Sequence, residues 1–140
     1  MEPTVKAVAE NDRATANGAR TVLLAEDQAN MLHLLEKIFL RLGYKVLKAT
    51  DGQTALEIYQ RHKEEINVLM LDMGLPKISG REVLLTIRSE KPDAKVIFTS
   101  GYIEPSMKSQ IDHACVKFLQ KPYTPNDVFK TLQSLATTAI

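Results

Sequence analysis

Residues 67–71 read NVLML, and the run ends on Asp72. A short, nearly continuous apolar run of this kind is expected for a strand in a parallel sheet covered on both faces. The aspartate that closes it then sits where a central strand leaves the sheet.

Two more runs have the same character, residues 21–25 (TVLLA) and 94–99 (AKVIFT). Residues 45–49 (KVLKA) and 116–119 (VKFL) are more mixed, which suits the two edges of the sheet. Helices are expected between the runs. Met31, Leu34, Leu35, Ile38, Phe39 and Leu42 recur at helical spacing as one apolar stripe, with Gly43 after it as a C-terminal cap. Ala55, Leu56 and Tyr59 form a second stripe, opened by Asp51-Gly52. A third helix starts at Ser79, with Glu82 completing a capping box and Val83, Leu84 and Ile87 facing inward. The last starts at Thr124, with Pro125 at its first position, Asp127 after the cap, and Val128, Leu132 and Leu135 toward the sheet. Residues 105–113 carry only a thin stripe, Met107 and Ile111, so this fourth helix is expected to be the least firmly docked.

The order is a β-α unit repeated five times. Right-handed crossovers then give a doubly wound α/β fold, a five-stranded parallel sheet with five helices over its two faces. Ligands of such sheets bind beyond the carboxyl ends of the strands.

Composition bounds the rest. The 140 residues suit one domain, with residues 1–20 read as a polar, alanine-rich leader or linker stub and residues 21–140 as the domain. Net charge is +1 without a basic block, which points to neither nucleic acid nor an anionic membrane surface. One cysteine, Cys115, excludes an internal disulfide and is expected to act as a small buried hydrophobe. No signal-peptide core or membrane-length apolar run is present, so a cytoplasmic location is expected. His33, His62 and His113 fall on different expected helices without ligand spacing.

The chemistry-bearing residues gather at one edge. The first strand runs into Glu26-Asp27, the third ends on Asp72, the fourth ends in Thr99-Ser100-Gly101, and Gln120-Lys121-Pro122 follows the fifth. Glu26 and Asp27 alone also read as acids favoured at a helix N-terminus. Lys121 alone reads as a solvated lysine, and Ser100 as a strand-end hydroxyl. Asp72 changes the balance, because three converging carboxylates raise one another's pKa unless a cation neutralises them. Mg2+ suits such a place, taking a few carboxylate oxygens together with waters and a phosphate oxygen. A carboxylate nucleophile, a metal, a lysine and a hydroxyl together make a phosphoryl-transfer site.

The acidic pair Glu26-Asp27, LMLDMGLPKISG around Asp72, FTSGY around Ser100 and FLQKPYTP around Lys121 resemble the response-regulator receiver family of two-component signalling. The likeness covers roughly residues 21–137. It implies a flavodoxin-like sheet of strand order 2-1-3-4-5, with Asp72 as phosphoacceptor and Asp27 as a direct Mg2+ ligand. Glu26 would act on the metal through water, and the Gly74 carbonyl would complete the protein's share of the shell; Mn2+ is expected to substitute for Mg2+. Ser100 would be the switch hydroxyl, Lys121 the phosphoryl partner, and Phe118 the switch aromatic; Phe118 also reads as an ordinary core phenylalanine. Gly74 and Tyr102 occupy positions that tune dephosphorylation.

The resemblance further implies a histidine kinase or histidine phosphotransfer protein as donor. A downstream protein would dock on the face of the fourth helix, fifth strand and fifth helix. Such a domain promotes its own phosphorylation and dephosphorylation without a separate substrate. The leader and the TVLLAED and FTSGY wording favour the receiver of a hybrid sensor histidine kinase over a free-standing regulator.

Three other readings compete. An aspartate-dependent phosphohydrolase of related fold needs an acid where Gly74 stands. A degenerate receiver serving only for docking conflicts with the complete set of site residues. A flavin-binding module wants a phosphate-cradling loop where the two acids lie.

Overall fold

The computed structural model describes residues 20–102, 105–106 and 115–138, with side chains as far as Leu135. The leader read at residues 1–20 lies outside the described residues, except that Arg20 opens the first strand. Most of the expected fourth helix, with Met107, Ile111 and His113, lies outside them too.

The described elements are β1 (Arg20–Ala25), α1 (Ala29–Arg41), β2 (Tyr44–Ala49), α2 (Gly52–His62), β3 (Ile66–Asp72), α3 (Gly80–Glu90), β4 (Val96–Ser100), β5 (Val116–Gln120) and α4 (Pro125–Thr138). Helix α4 is thus the fifth helix of the sequence reading. All strand pairs are parallel, and their order is β2-β1-β3-β4-β5. The lysine-bearing strands β2 and β5 take the edges, as their mixed composition requires.

Alternation along the central strands feeds two cores. Leu23, Leu69, Leu71, Val96 and Phe98 meet Ala55 and Tyr59 of α2 and Val83, Leu84 and Ile87 of α3. Val22, Leu24, Val68, Met70 and Ile97 meet Leu32, Leu35 and Phe39 of α1 and Val128, Leu132 and Leu135 of α4.

Helix α1 corrects the expected stripe. Leu35 and Phe39 are buried as read, but Leu34 and Leu42 are exposed at 39% and 38%. The row facing the sheet is Leu32, Leu35 and Phe39, and it includes Glu36. Met31 and Ile38 are half-buried and pack against the same core, so only Leu34 and Leu42 of the six fall off the buried face. Glu36 is tolerated in that row because Lys48 of β2 lies 3.0 Å away and supplies its counter-charge. Cys115 is half-buried rather than buried.

Caps form at the expected helix starts, with the box at Ser79 showing one of its two bonds. Asp51 accepts from Thr54 N at 2.7 Å, and Ser79 Oγ accepts from Glu82 N at 3.2 Å. Thr124 and Asp127 exchange both bonds of a box, at 2.9 and 3.1 Å. Gly43 follows α1 with φ of 88°, the left-handed turn that ends many helices. Among the described residues, no helix is long and apolar enough to cross a membrane.

Candidate functional site at the carboxyl edge

Register places the site. Ala25 pairs with Leu71 and Asp72 with Thr99, so Glu26 and Asp72 leave neighbouring strands at the same level. Glu26, Asp27 and Asp72 each bring a carboxylate oxygen within 4.8 Å of the others. Glu26 and Asp72 are buried, whereas Asp27 stands in solvent. Lys121, directly after β5 and joined to Pro122 by a cis bond, sets its ammonium 2.9 Å from Asp72 Oδ1 and 3.3 Å from Glu26 Oε1.

Electrostatics follow from this packing. Burial pushes the Glu26 pKa up; the Gln28 amide opposes this, Asp72 adds to it and Lys121 opposes it. Burial alone would lower the Lys121 pKa, but its contacts with Asp72 and Glu26 outweigh burial and raise it. Three carboxylates and one ammonium leave surplus negative charge, which works against an incoming phosphoryl group.

Glu26 is the informative atom set. Its Oε2 accepts from Gln28 N at 3.1 Å, so it does serve the start of α1. Its Oε1 is buried without a hydrogen-bonding partner; Lys121 reaches ion-pair distance but not hydrogen-bond geometry. A buried carboxylate oxygen held only by an ion pair and facing two further carboxylates fits a hard divalent cation and its waters.

The remaining expected residues are placed less uniformly. Ser100 ends β4, but its hydroxyl donates to Tyr102 O at 2.8 Å and accepts from Tyr102 N at 3.2 Å, turned toward its own loop. Tyr102 is exposed at 65%. Phe118 is half-buried on β5, edge-on to Phe98 with ring centroids 5.9 Å apart. A Cβ added to Gly74 would meet only Asp72 Oδ2, at 3.7 Å, so the approach to that oxygen is open.

Two neighbours were not singled out from the sequence. Thr99 is buried, and its hydroxyl lies 3.4 Å from Asp72 Oδ1, making it the β4 hydroxyl in contact with the acid. It stands directly before Ser100, and only the Asp72–Thr99 register distinguishes the two. Tyr123 is buried with its hydroxyl unpartnered, and burial together with Glu26 and Asp72 drives its pKa up. It stands within the FLQKPYTP stretch, where nothing in the sequence set it apart.

Comparison with known proteins agrees with this geometry. The family model described as "Response regulator receiver domain" matches residues 22–133. CheY of Thermotoga maritima is 30% identical over 119 residues, covering 84% of this chain and 98% of that protein. The sensor kinase CckA of Brucella abortus is 33% identical over 123 residues, 87% of this chain but 12% of the kinase. The chain likewise spans only 41% of the regulator ycf27 of Galdieria sulphuraria. Among solved structures, Vibrio cholerae CheY4 superposes with a TM-score of 0.74 at 23% identity, covering 84% of this chain and 99% of that one. A chain of the CheX–CheY–BeF3–Mg2+ complex from Borrelia burgdorferi reaches 0.76 at 25% identity, covering 89% and 93%. With four-fifths of its length under that family model and an almost full-length relative in CheY, the chain belongs to the response regulator receiver domain family, the CheY-like phosphoacceptor modules of two-component signalling.

Proposed function

We propose that Asp72 is the phosphoacceptor, and that Asp27, Asp72, the Gly74 carbonyl and, through water, Glu26 hold Mg2+. The observation that carries this reading is the convergence of Asp72, Glu26 and Lys121 from three strand ends, with contacts of 2.9 and 3.3 Å. Bound Mg2+ would supply the positive charge that lets an anionic phosphoryl group approach the carboxylates.

The chain's own groups divide the remaining work. An Asp72 carboxylate oxygen attacks phosphorus while the bond from phosphorus to the donor's leaving atom breaks, its electron pair staying with that atom, which takes a proton from water where its basicity requires one. Lys121 stays protonated, since its pKa is raised, and can pass from Asp72 Oδ1 to a phosphoryl oxygen. Catalysis is then positioning and charge stabilisation, which few residues suffice to supply. Ser100 turns from Tyr102 toward the new phosphoryl oxygens, and Phe118 follows on β5. The two together bias a face that includes β5 and α4.

The donor is a histidine kinase or histidine phosphotransfer protein, and the recipient of the signal docks on that face. The similarity to a Brucella sensor kinase supports a kinase as the source of phosphoryl groups. The test is incorporation from a small phosphodonor such as acetyl phosphate. Wild type labels with Mg2+ or Mn2+ and not with a chelator, and Asp72→Asn does not label. Labelling without metal, or surviving the substitution, refutes the mechanism.

A further inference from the structure

Among the described residues, Lys77 is the one non-glycine with positive φ, at 70°. Ile78 N donates to Pro76 O at 2.8 Å, closing a three-residue turn around it. A γ-turn with positive central φ is the rare, strained form. A lysine persists in such a conformation where its surroundings fix it more than once, and strain of this kind gathers at ligand clamps and switch regions.

The surroundings here are the junction of β2 and α2, distant from Asp72 in sequence. Gly52 N donates to the same Pro76 O at 3.1 Å. A Cβ on Gly52 would fall 1.7 Å from Ile78 O and 2.6 Å from Ile78 C, so loop backbone fills the space that only glycine leaves. Asp51 caps α2 and sets its Oδ2 3.8 Å from Lys77 Nζ. At its other end the loop is tied by Met73 N to Thr99 O at 2.8 Å and by Gly80 N to Met73 O at 3.1 Å. Gly74 lies between these anchors.

We propose that Gly52 is a positioning residue for the metal site: the Asp51–Gly52 junction clamps the turn at Pro76, Lys77 and Ile78, and so fixes the Gly74 carbonyl. The inference rests on the reading of Gly74 as a metal ligand. Mg2+ demands near-ideal octahedral geometry at short range, so a small loop displacement is felt in its affinity. Glu26 N donates to Ala49 O at 3.0 Å and Asp72 ends β3, so neither carboxylate is hydrogen-bonded to the turn at Pro76, Lys77 and Ile78. Mg2+ affinity is therefore set partly from a junction that never touches the ion.

The experiment is Mg2+ titration of the full chain by calorimetry, with thermal unfolding of the metal-free protein measured in parallel. Gly52→Ala is expected to weaken Mg2+ binding about tenfold in protein that circular dichroism shows to be folded. Lys77→Gly is the second variant, because glycine takes positive φ without strain. It should hold or raise the melting temperature while weakening Mg2+ binding about threefold, as the turn loosens. Stability and affinity then part company, which a purely structural junction does not produce. Wild-type affinity in folded Gly52→Ala overturns the proposal, as does wild-type affinity in Lys77→Gly if Gly52→Ala does not fold. A wild-type chain that binds no Mg2+ removes the metal reading itself and this inference with it.

Discussion

Glu26 is the side chain where folding and chemistry are most directly opposed. Its burial raises its pKa, so the charged form that a metal needs is the form folding disfavours. The sign of the pH dependence follows. Below the unfolded carboxyl pKa the group is protonated in both states and imposes no penalty, and the penalty grows as pH rises through the folded value. Glu26→Gln should therefore stabilise metal-free protein at pH 7, by roughly 1 kcal/mol, with the gain fading toward pH 4. The same variant should bind Mg2+ more weakly. Urea unfolding at the two pH values checks the first claim, and a variant less stable than wild type at pH 7 contradicts it. Tyr102 stands exposed beside Ser100 and its hydroxyl. Tyr102→Ala should change the lifetime of the phosphorylated state, and an unchanged decay rate removes that role. Much of the site was legible at this scale, because Glu26, Asp27, Asp72 and Lys121 are polar groups placed directly after apolar runs. Thr99 was not, since two adjacent hydroxyls at a strand end look alike until register assigns one to Asp72.

At the scale of elements, strand and helix identity followed from periodicity, and boundaries moved by one or two residues. Helix α1 shows where periodicity falls short. Six apolar residues at helical spacing do not say which of them lie at the exposed margin, as Leu34 and Leu42 do, and a buried Glu36 hides where the buried face is centred. Only its partner Lys48, on another element, explains why a carboxylate can lie there. Truncations at the centre and at the margin separate the two. Leu35→Ala should cost about 2–5 kcal/mol, while Leu34→Ala should stay within about 0.5 kcal/mol. Chemical denaturation of both variants is the check, and equal losses would return Leu34 to the buried row. The cap of α4 was read correctly because Thr124, Pro125 and Asp127 act locally, with nothing distant to override them.

At the scale of the whole molecule, the site belongs to no single segment. Glu26 and Asp27 follow β1, Asp72 ends β3 and Lys121 follows β5, and the parallel order β2-β1-β3-β4-β5 makes those ends one edge. The sequence showed that the ends share an edge, because every β-α unit returns the chain in the same direction. It did not show the clamp from Gly52 onto the loop after Asp72, which joins residues with no common motif. The central claim is that this edge directs phosphorylation to one carboxylate among three. Borohydride reduction of the phosphorylated chain, followed by peptide mass spectrometry, tests it by converting the acyl phosphate to an alcohol at the modified residue. The account predicts homoserine at position 72, formed only when Mg2+ was present; reduction at Asp27 or Glu26, or at Asp72 without metal, would contradict it.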